Sequence, residues 1–387
     1  MNLRHSLLLV TVAFGAGLLF TLWKQDKLQL ISPPSQETPA PTDTTADIRS
    51  DTFTLRALQA AIESNEGNIL LAPHALAENL RTLQQMSQGA TKAELEALHL
   101  GTERQSAAET AGEVALLFPD SSLQFSAKAP LDNAIPVPLC SKEGESILIL
   151  NSLLNDTTGE ASTHFITGEH LAADTRLISF CSLSLRPTWK HPVLSAKEAN
   201  TDFFNADGSM PRIRTLQSTG QFRHAQAEDG SWQAIAIPLQ LSSQPAMDEC
   251  LLLIMPKENS ARSFAKNMTA EQLTSIRKAV AQAEFTRTCV EFPRISFAPP
   301  TQDIQALLQA LGLTSLLSPQ ADLSLLASDK PLFLNAALQK CRIPLVENCA
   351  DTPRDVSELS FDKPFIWIIG SLRSPAPPYA IGIIENL

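Results

Sequence analysis

Apolar residues after position 52 recur at two spacings, which predict helices and strands in mixed order. Five segments have helical spacing, and six have the composition and alternation of strands. The predicted helices are Leu55–Ile62, Leu76–Met86, one opened by Thr91 and Glu94 and stopped by Gly101, one opened by Thr269 and Gln272, and one after Thr301 that ends at Gly312. The predicted strands are Leu177–Leu185, Gln233–Leu239, Leu251–Met255, Val290–Phe297, Phe365–Ile369 and Tyr379–Ile384. This order predicts an α+β fold with large antiparallel sheets and one domain over residues 51–387.

The first fifty residues have a different pattern. Ser6 to Trp23 is an uncharged run of 18 residues, just long enough to cross a bilayer core of about 30 Å as a helix. Its position favours a membrane anchor in residues 1–23, and a cleaved signal peptide is the alternative. Residues 24–50 hold four prolines among Ser, Thr, Asp and Gln and are predicted to be a linker. We therefore expect an extracytoplasmic protein, anchored or secreted, that contacts the membrane only through residues 6–23.

Composition narrows the function classes. The 387 residues carry 30 Lys and Arg against 41 Asp and Glu, a net charge of −11, and 44% are hydrophobic. The apolar content excludes disorder for most of the chain, and the acidic balance excludes a nucleic-acid partner. No phosphate-binding, nucleophile-elbow or zinc-protease motif occurs, and the seven histidines are scattered. We predict no catalytic activity, no metal and no cofactor, and we expect a monomer.

Six cysteines occur, none of them in Cys-x-x-Cys pairs. Zinc and thioredoxin-type sites are therefore not indicated. In an oxidising compartment the cysteines allow up to three bridges, and as free thiols they would act as small buried apolar groups. Both interpretations remain open at this point.

Seven short motifs are spread in order over the body of the chain. They are Asn68-Ile-Leu-Leu-Ala-Pro73 with Gly89-Ala-Thr91, Trp189-Lys-His-Pro192, Asp202–Gly208, Val290–Phe297, Leu311–Ser324, Asp362-Lys-Pro-Phe365 and Ile381–Asn386. Together they resemble the serpins, a family of serine-protease inhibitors. The resemblance implies three sheets, about nine helices and one large domain. It also implies an exposed loop before Asp362 that is bait for a protease and, in inhibitory members, inserts into the main sheet after cleavage.

The predicted loop is too short for that mechanism. Glu347 resembles the glutamate that opens the family's hinge, and only fourteen residues separate it from Asp362. At about 3.3 Å per residue, all fourteen reach about 46 Å, and the seven before a cut after Arg354 reach about 23 Å. Pro353 cannot donate to a strand ladder, and Asp355 would bring charge into the sheet. The loop residues on which this prediction rests are Glu347, Cys349, Thr352, Pro353, Arg354 and Asp355.

Two functions follow as hypotheses from the resemblance. The first is a serpin-like protein that does not trap proteases and acts by binding another extracytoplasmic protein. The alternative is a genuine inhibitor of a serine or cysteine protease with Arg354 as its bait residue. A solvated loop charge is the simpler interpretation of Arg354, because the flanking Pro353 and Asp355 suit trypsin-like enzymes poorly.

The region where the family's main sheet opens is also altered. A buried Ser/Asn/His network is expected there from the resemblance, and Ala72, Cys181 and Gln339 occupy the matching positions. We therefore expect most of the polar contacts to be lost. Cys181 and Cys341 are expected on neighbouring strands, and a disulfide between them, which would lock the sheet, is a further hypothesis.

Overall fold

Seven α-helices occur in the part of the chain that the computed structural model describes, which comprises residues 44–102, 112–139, 143–160, 164–195, 201–241, 248–329, 331–349 and 358–387. They are α1 Thr44–Ser64, α2 Pro73–Met86, α3 Gly89–Glu96, α4 Glu143–Thr158, α5 Ala261–Asn267, α6 Ala270–Gln282 and α7 Gln305–Ala310, with a 3₁₀ turn at Gly168–His170. All five predicted helices are present, whereas α4 and α5 were not predicted. None of the described helices is long and apolar enough to span a membrane.

The strands form three sheets, as the resemblance implied. In chain order they are β1 Ile69–Leu71, β2 Glu113–Pro119, β3 Leu177–Ser184, β4 Thr188–Trp189, β5 Val193–Ser195, β6 Thr201–Asp202, β7 Arg212–Ile213, β8 Thr215–Gln226, β9 Trp232–Gln240, β10 Glu249–Pro256, β11 Phe285–Pro293, β12 Ile295–Phe297, β13 Gln302–Asp303, β14 Ala336–Leu345, β15 Leu359–Ser360, β16 Phe365–Ser371 and β17 Ala380–Ile384. The six predicted strands are present, although residues 290–297 are divided between β11 and β12.

Two pairs of neighbouring strands are parallel, and the other pairs of described strands are antiparallel. The ten-stranded sheet runs β1-β17-β16-β10-β9-β8-β11-β15, with β4 on β9 and β5 on β8. The five-stranded sheet runs β12-β14-β3-β2, with β13 on β14, and β6 pairs with β7. The parallel pairs are β14 with β3 and β11 with β15. The prediction of an α+β fold with large antiparallel sheets is confirmed.

The five-stranded sheet is covered on both faces. Leu150 and Leu154 of α4 pack in a small apolar cluster with Phe180 of β3 and Leu338 of β14. The opposite face, which includes Cys181 and Cys341, belongs to the large core that also contains α2. Because side chains alternate along a strand, neighbouring residues of β3 and β14 enter different cores.

The first residues of three helices show where the local sequence predicts the start of a helix and where tertiary contacts change it. The Thr269–Gln272 capping box of α6 is confirmed, with both reciprocal hydrogen bonds present. The predicted start at Thr91 is wrong, because α3 begins at Gly89 and Thr91 Oγ1 instead accepts the Asp322 N–H at 3.0 Å. The last helix also begins later than predicted, at Gln305, because Gln302 and Asp303 pair with β14 as strand β13.

The described residues from Thr44 onward belong to one compact unit, residues 43–387. Helix α1 starts seven residues before the predicted domain boundary at 51, so the end of the predicted linker is helical. The anchor or signal peptide in residues 1–23 lies outside the described residues and stays a prediction.

Candidate functional site

Strand β14 leads directly into the predicted loop, and the hinge residue Glu347 is held by an ion pair. Arg294 Nε donates to Glu347 Oε2 at 2.7 Å, and the two side chains are 31% and 30% exposed. The hydrogen bond from Arg294 holds the pKa of the Glu347 carboxyl below its usual value of 4.5, although partial burial opposes this shift. Glu347 is therefore a charged anchor at the surface.

The segment from Trp189 to Val193 fastens the start of the loop more firmly. The indole Nε1 of Trp189, whose ring is buried against Phe292, donates to the Val346 carbonyl at 2.7 Å. The Asn348 N–H donates to the Val193 carbonyl at 3.1 Å, and the Val193 N–H donates back to Asn348 Oδ1 at 2.8 Å. The Trp189-Lys-His-Pro motif thus has a clear structural role, because it holds the chain that leaves β14.

The far end of the loop is tied to strand β11. The Glu358 N–H donates to the Cys289 carbonyl at 2.9 Å, and the Phe361 N–H donates to the Glu291 carbonyl at the same distance. Between them β15 pairs in parallel with β11, and Phe361 is buried. Backbone hydrogen bonds at Asn348 and Glu358 therefore leave only nine residues, 349–357, between the two anchored ends.

The position that an inserted loop would occupy is closed. Strands β3 and β14 pair directly over seven residues, from Ala336 opposite Ile178 to Arg342 opposite Ser184. An added strand would have to replace this whole ladder of hydrogen bonds before forming its own. The structure is thus the closed form of the five-stranded sheet.

A buried glutamine fastens β14 where the sheet would open. Gln339, 1% exposed, accepts the Ala72 N–H at 2.9 Å and donates to the Leu70 carbonyl at 3.2 Å. Leu70 and Ala72 lie at the junction of β1 and α2, so one side chain ties the sheet to the helix beneath it. Without the amide, the Ala72 N–H would lose its partner in the core, and the Leu70 carbonyl would lose one hydrogen bond.

A second buried amide fastens β3 to the same helix. Asn79 of α2 is fully buried, and its Nδ2 donates to Ser179 Oγ at 3.0 Å and to the Phe180 carbonyl at 2.8 Å. Helix α2 therefore holds both strands of the closed pair through side-chain amides.

Comparison with known families decides the assignment. The family model described as "Serpin (serine protease inhibitor)" matches residues 136–377, which is more than half of the chain. The chain belongs to the serpin family.

Individual serpins are distant from it in sequence. An alpha-1-antitrypsin-like protein of Tamias sibiricus is 24% identical over 229 residues, covering 56% of this chain and 52% of that protein. Alpha-1-antitrypsin of Sus scrofa is 24% identical over 354 residues, covering 82% and 81%. The chain thus spans about half the length of the first curated relative and about four fifths of the second.

Solved structures show the same fold. A tumour suppressing serpin superposes with a TM-score of 0.74 at 16% identity, over 88% of this chain and 99% of that one. Uncleaved ovalbumin superposes with a TM-score of 0.72 at 14% identity, over 88% and 100%. At such identities the likeness establishes the serpin fold alone.

The predicted loop residues divide between described and undescribed parts of this serpin. Glu347 and Cys349 are described, and Cys349 is half-buried. Thr352, Pro353, Arg354 and Asp355 lie outside the described residues, so their roles remain predictions. The anchored ends on either side come within two residues of that undescribed stretch.

The expectation that the sheet-opening region has lost its polar contacts is corrected. Ala72 and Cys181 do lack hydrogen-bonding side chains of the expected kind, but Gln339 binds the backbone at position 72 directly. Asn79 and Ser179, which the sequence reasoning did not single out, supply a second set of contacts. Polar contacts are therefore present at this place, and Gln339, Asn79 and Ser179 make them.

The hypothesis of a bridge between Cys181 and Cys341 does not hold in this structure. Both thiols are free and 1% exposed, and Cys181 is opposite Gln339, two residues from Cys341. Burial, with a smaller contribution from Glu113, raises the pKa of the Cys181 thiol to about 12. Burial also raises the pKa of Cys341 well above its usual value. Protonated and buried, these thiols act as small apolar groups.

The sequence contains only weak indications of the contacts at the hinge. Trp189 lies in a serpin-like motif, but nothing local indicates that its indole reaches Val346, 157 positions away. Arg294 follows Pro293 in another motif, and its partner is 53 positions away. The motifs mark these residues as important to the fold, whereas the partners are known only from the structure.

Proposed function

We propose that this serpin acts by binding another protein through its folded body and does not trap proteases by loop insertion. The observation that carries the proposal is the short connection between the anchored ends of the loop, nine residues from 349 to 357. Its partner would be an extracytoplasmic protein, and that location rests on the predicted membrane anchor or signal peptide in residues 1–23. Serpins as a class bind proteases, so a protease remains the first partner to test.

The length of the inserted piece supports the proposal. After a cut following Arg354, the residues free to enter the sheet are Asn348 to Arg354, seven in all. They would reach about 23 Å at about 3.3 Å per residue. Strand β3 has eight residues and β14 has ten, so the new strand would be shorter than both of its neighbours. Such a strand would leave part of each neighbour's ladder unpaired.

The chemistry of the hinge points the same way. Insertion would release the hydrogen bonds of Asn348 with Val193 and that of Val346 with Trp189. It would then place Pro353, which has no N–H, between two strands whose residues are mostly buried. Charged side chains of the loop would follow it into the apolar cores on both faces of the sheet.

Incubation of the full chain with trypsin, chymotrypsin, elastase and papain tests the proposal. We expect denaturing gels to show nicked chain without a detergent-resistant covalent adduct, and Tm of the nicked chain to stay at or below that of the intact chain. A covalent adduct with any of these enzymes, or a nicked chain that melts at a higher temperature, would contradict it. The variant Arg354→Gln separates cleavage in the loop from cleavage elsewhere.

A second function, reversible inhibition with Arg354 as the bait, is favoured by one observation. The loop is tied at both ends by backbone hydrogen bonds, to β5 at Val193 and to β11 at Cys289. A short loop with fixed ends loses little conformational entropy when a protease binds it. In the same assay, this function predicts inhibition of trypsin without an adduct, lost in Arg354→Gln and kept in Arg212→Gln, which alters an exposed arginine of β7.

A further inference from the structure

A cavity of about 640 Å³ lies in the ten-stranded sheet, and its lining includes Lys190 and His191 of the segment that holds the start of the loop. It arises where β8 changes partners. Arg223 is the last residue of β8 that pairs with β11 and the first that pairs with β9. Before Arg223 the strands β8 and β9 diverge, and the Lys190–His191 segment spans the gap, with the Lys190 N–H on the Pro238 carbonyl. The cavity is therefore built into the sheet.

Most of the cavity wall is apolar. Ala236 and Pro238 of β9, Cys250 of β10, Phe285 of β11 and Leu372 contribute to it. Phe285 is 57% exposed, which is unusual for a phenylalanine of a sheet. A volume of this size suits a molecule with one or a few rings or a medium-length chain.

One wall carries a guanidinium that makes no hydrogen bond to any described residue. The Arg223 side chain is 19% exposed, and its nearest carboxylate oxygen, Asp248 Oδ1, is 3.8 Å from Nη1. That is an ion-pair contact longer than a hydrogen bond. Arg223 Nε is buried without a partner, and the guanidinium carbon lies 4.4 Å from the centre of the Phe285 ring. A desolvated donor of this kind is costly unless an acceptor reaches it.

The other charged residues around the cavity differ in whether they already have partners. Lys190 lines the cavity and forms no ion pair within the described part of the chain. The acids are already engaged, since Asp248 also faces Arg373 Nε at 3.5 Å and Glu249 Oε2 accepts the Leu241 N–H at 3.1 Å. Among the described residues that line the cavity, the cations without a close protein acceptor are the exposed Lys190 Nζ and the buried Arg223 Nε.

We infer that this cavity binds an amphipathic organic anion, a molecule with an apolar ring system or chain and one carboxylate or sulfonate. The acid group accepts hydrogen bonds from Arg223 and Lys190, and the apolar body packs on Pro238, Phe285 and Leu372. Charge-assisted hydrogen bonds in a partly desolvated site are stronger than neutral ones, so the acid group gives selectivity. The site shares the Lys190–His191 segment with the attachment of the loop, because Asn348 Nδ2 donates to the His191 carbonyl at 3.5 Å.

Two fluorescent probes with the same ring system test this inference on the full chain. Anilinonaphthalene sulfonate carries the acid group, and phenylnaphthylamine lacks it. We expect the sulfonate to bind more tightly, and Arg223→Met and Lys190→Met each to weaken it about tenfold while changing the binding of the uncharged probe little. Arg212→Met is the control, because Arg212 is an exposed cation of β7 outside the cavity.

Any probe that binds to residues 1–43 does so equally in the parent chain and in every variant, because all of them have the same first 43 residues. Differences among the variants therefore report on the cavity. Lys190 is exposed, so its replacement keeps the fold even if Arg223→Met is less stable. Gln221→Trp places a bulky side chain at an exposed lining position and is expected to reduce binding of both probes. Sulfonate binding that is absent from the parent chain, or is unchanged in Arg223→Met and Lys190→Met, would overturn the inference.

Discussion

Strand β14 is held at two places by different physical means. In its middle, Gln339 makes hydrogen bonds to the backbone at Leu70 and Ala72, all within the core. Beyond its end, Glu347 pairs with Arg294 at the surface. The first contact is costly to lose because it leaves buried groups unpaired, whereas water replaces the second at little cost.

This difference bears on how the five-stranded sheet can open. Separation of β3 from β14 must break the contacts of Gln339 or those of Asn79, and both sets lie in the buried core. The hinge can loosen while those contacts stay in place. We therefore expect the middle of the sheet to set its stability and the hinge to set only the local order of the loop.

The largest effect is expected for Gln339→Leu. The substitution keeps the approximate volume but leaves the Ala72 N–H buried without its partner and removes one hydrogen bond from the Leu70 carbonyl. A loss of about 3 kcal/mol in the free energy of unfolding is expected, measured by urea denaturation. Gln309→Leu, at an exposed position of α7, is the matched control and should change stability little. A cost equal to that of the control would show that the middle of the sheet is not a strong attachment.

A somewhat smaller loss is expected for Asn79→Leu. It removes two hydrogen bonds to β3, and the Phe180 carbonyl stays buried, so about 2 kcal/mol is expected in the same assay. The double variant Asn79→Leu with Gln339→Leu tests whether the two losses in stability add. If α2 holds β3 and β14 as one unit, the two losses will not be additive, whereas independent attachments would add within about 0.5 kcal/mol.

Trp189→Phe tests the firmer part of the hinge. It removes the indole hydrogen bond to Val346 and keeps most of the buried ring, so a cost of about 1 kcal/mol is expected. Cleavage of the loop by a protease under native conditions should also become faster, because the chain after β14 is less restrained. Trp232→Phe is the control, since Trp232 is half-buried and its indole makes no hydrogen bond within the described residues. Equal cleavage rates in the two variants would argue against a restraining role.

The smallest effect is expected for Glu347→Gln, about 0.5 kcal/mol and reduced by salt. The pKa of Glu347 is lowered in the folded state, so its contribution is present above the unfolded value of 4.5 and is lost as pH falls through the lower folded value. The parent and Glu347→Gln should therefore differ in Tm at pH 7 and converge in acid. Glu258→Gln, at an exposed position, serves as the control. A loss of stability in Glu347→Gln that is larger than in Gln339→Leu would show that the hinge ion pair, and not the middle of the sheet, is the stronger attachment.

The two capping signals show how far local pattern predicts structure. Thr269 and Gln272 form the predicted box because both partners belong to the first turn of α6. Thr91 and Glu94 have the same spacing, but Asp322 and Ser315 from distant parts of the chain take their side chains. The same three-residue spacing thus has two outcomes, and the sequence around it does not tell them apart.

Strand β14 was expected only from the family resemblance, through Cys341, and the spacing of apolar residues did not predict it, for a similar reason. Its sequence places Gln339, Lys340, Arg342 and Pro344 among apolar residues, which hides the alternation expected of a buried strand. Gln339 is buried because it binds the backbone at Leu70 and Ala72, and Lys340 Nζ reaches the Pro299 carbonyl at 2.8 Å. Polar residues in a core are predictable only when their partners are known.

By itself, the sequence determined the serpin family, the mixed fold and the short connection between Glu347 and Asp362, because motif order and chain length are properties of the chain alone. The tertiary structure decided which side chains hold the sheet closed. Gln339 and Ala72 are 267 positions apart, and Asn79 and Phe180 are 101 apart. Hydrogen bonds over such separations depend on the packing of α2 against the sheet, and no local pattern encodes that packing.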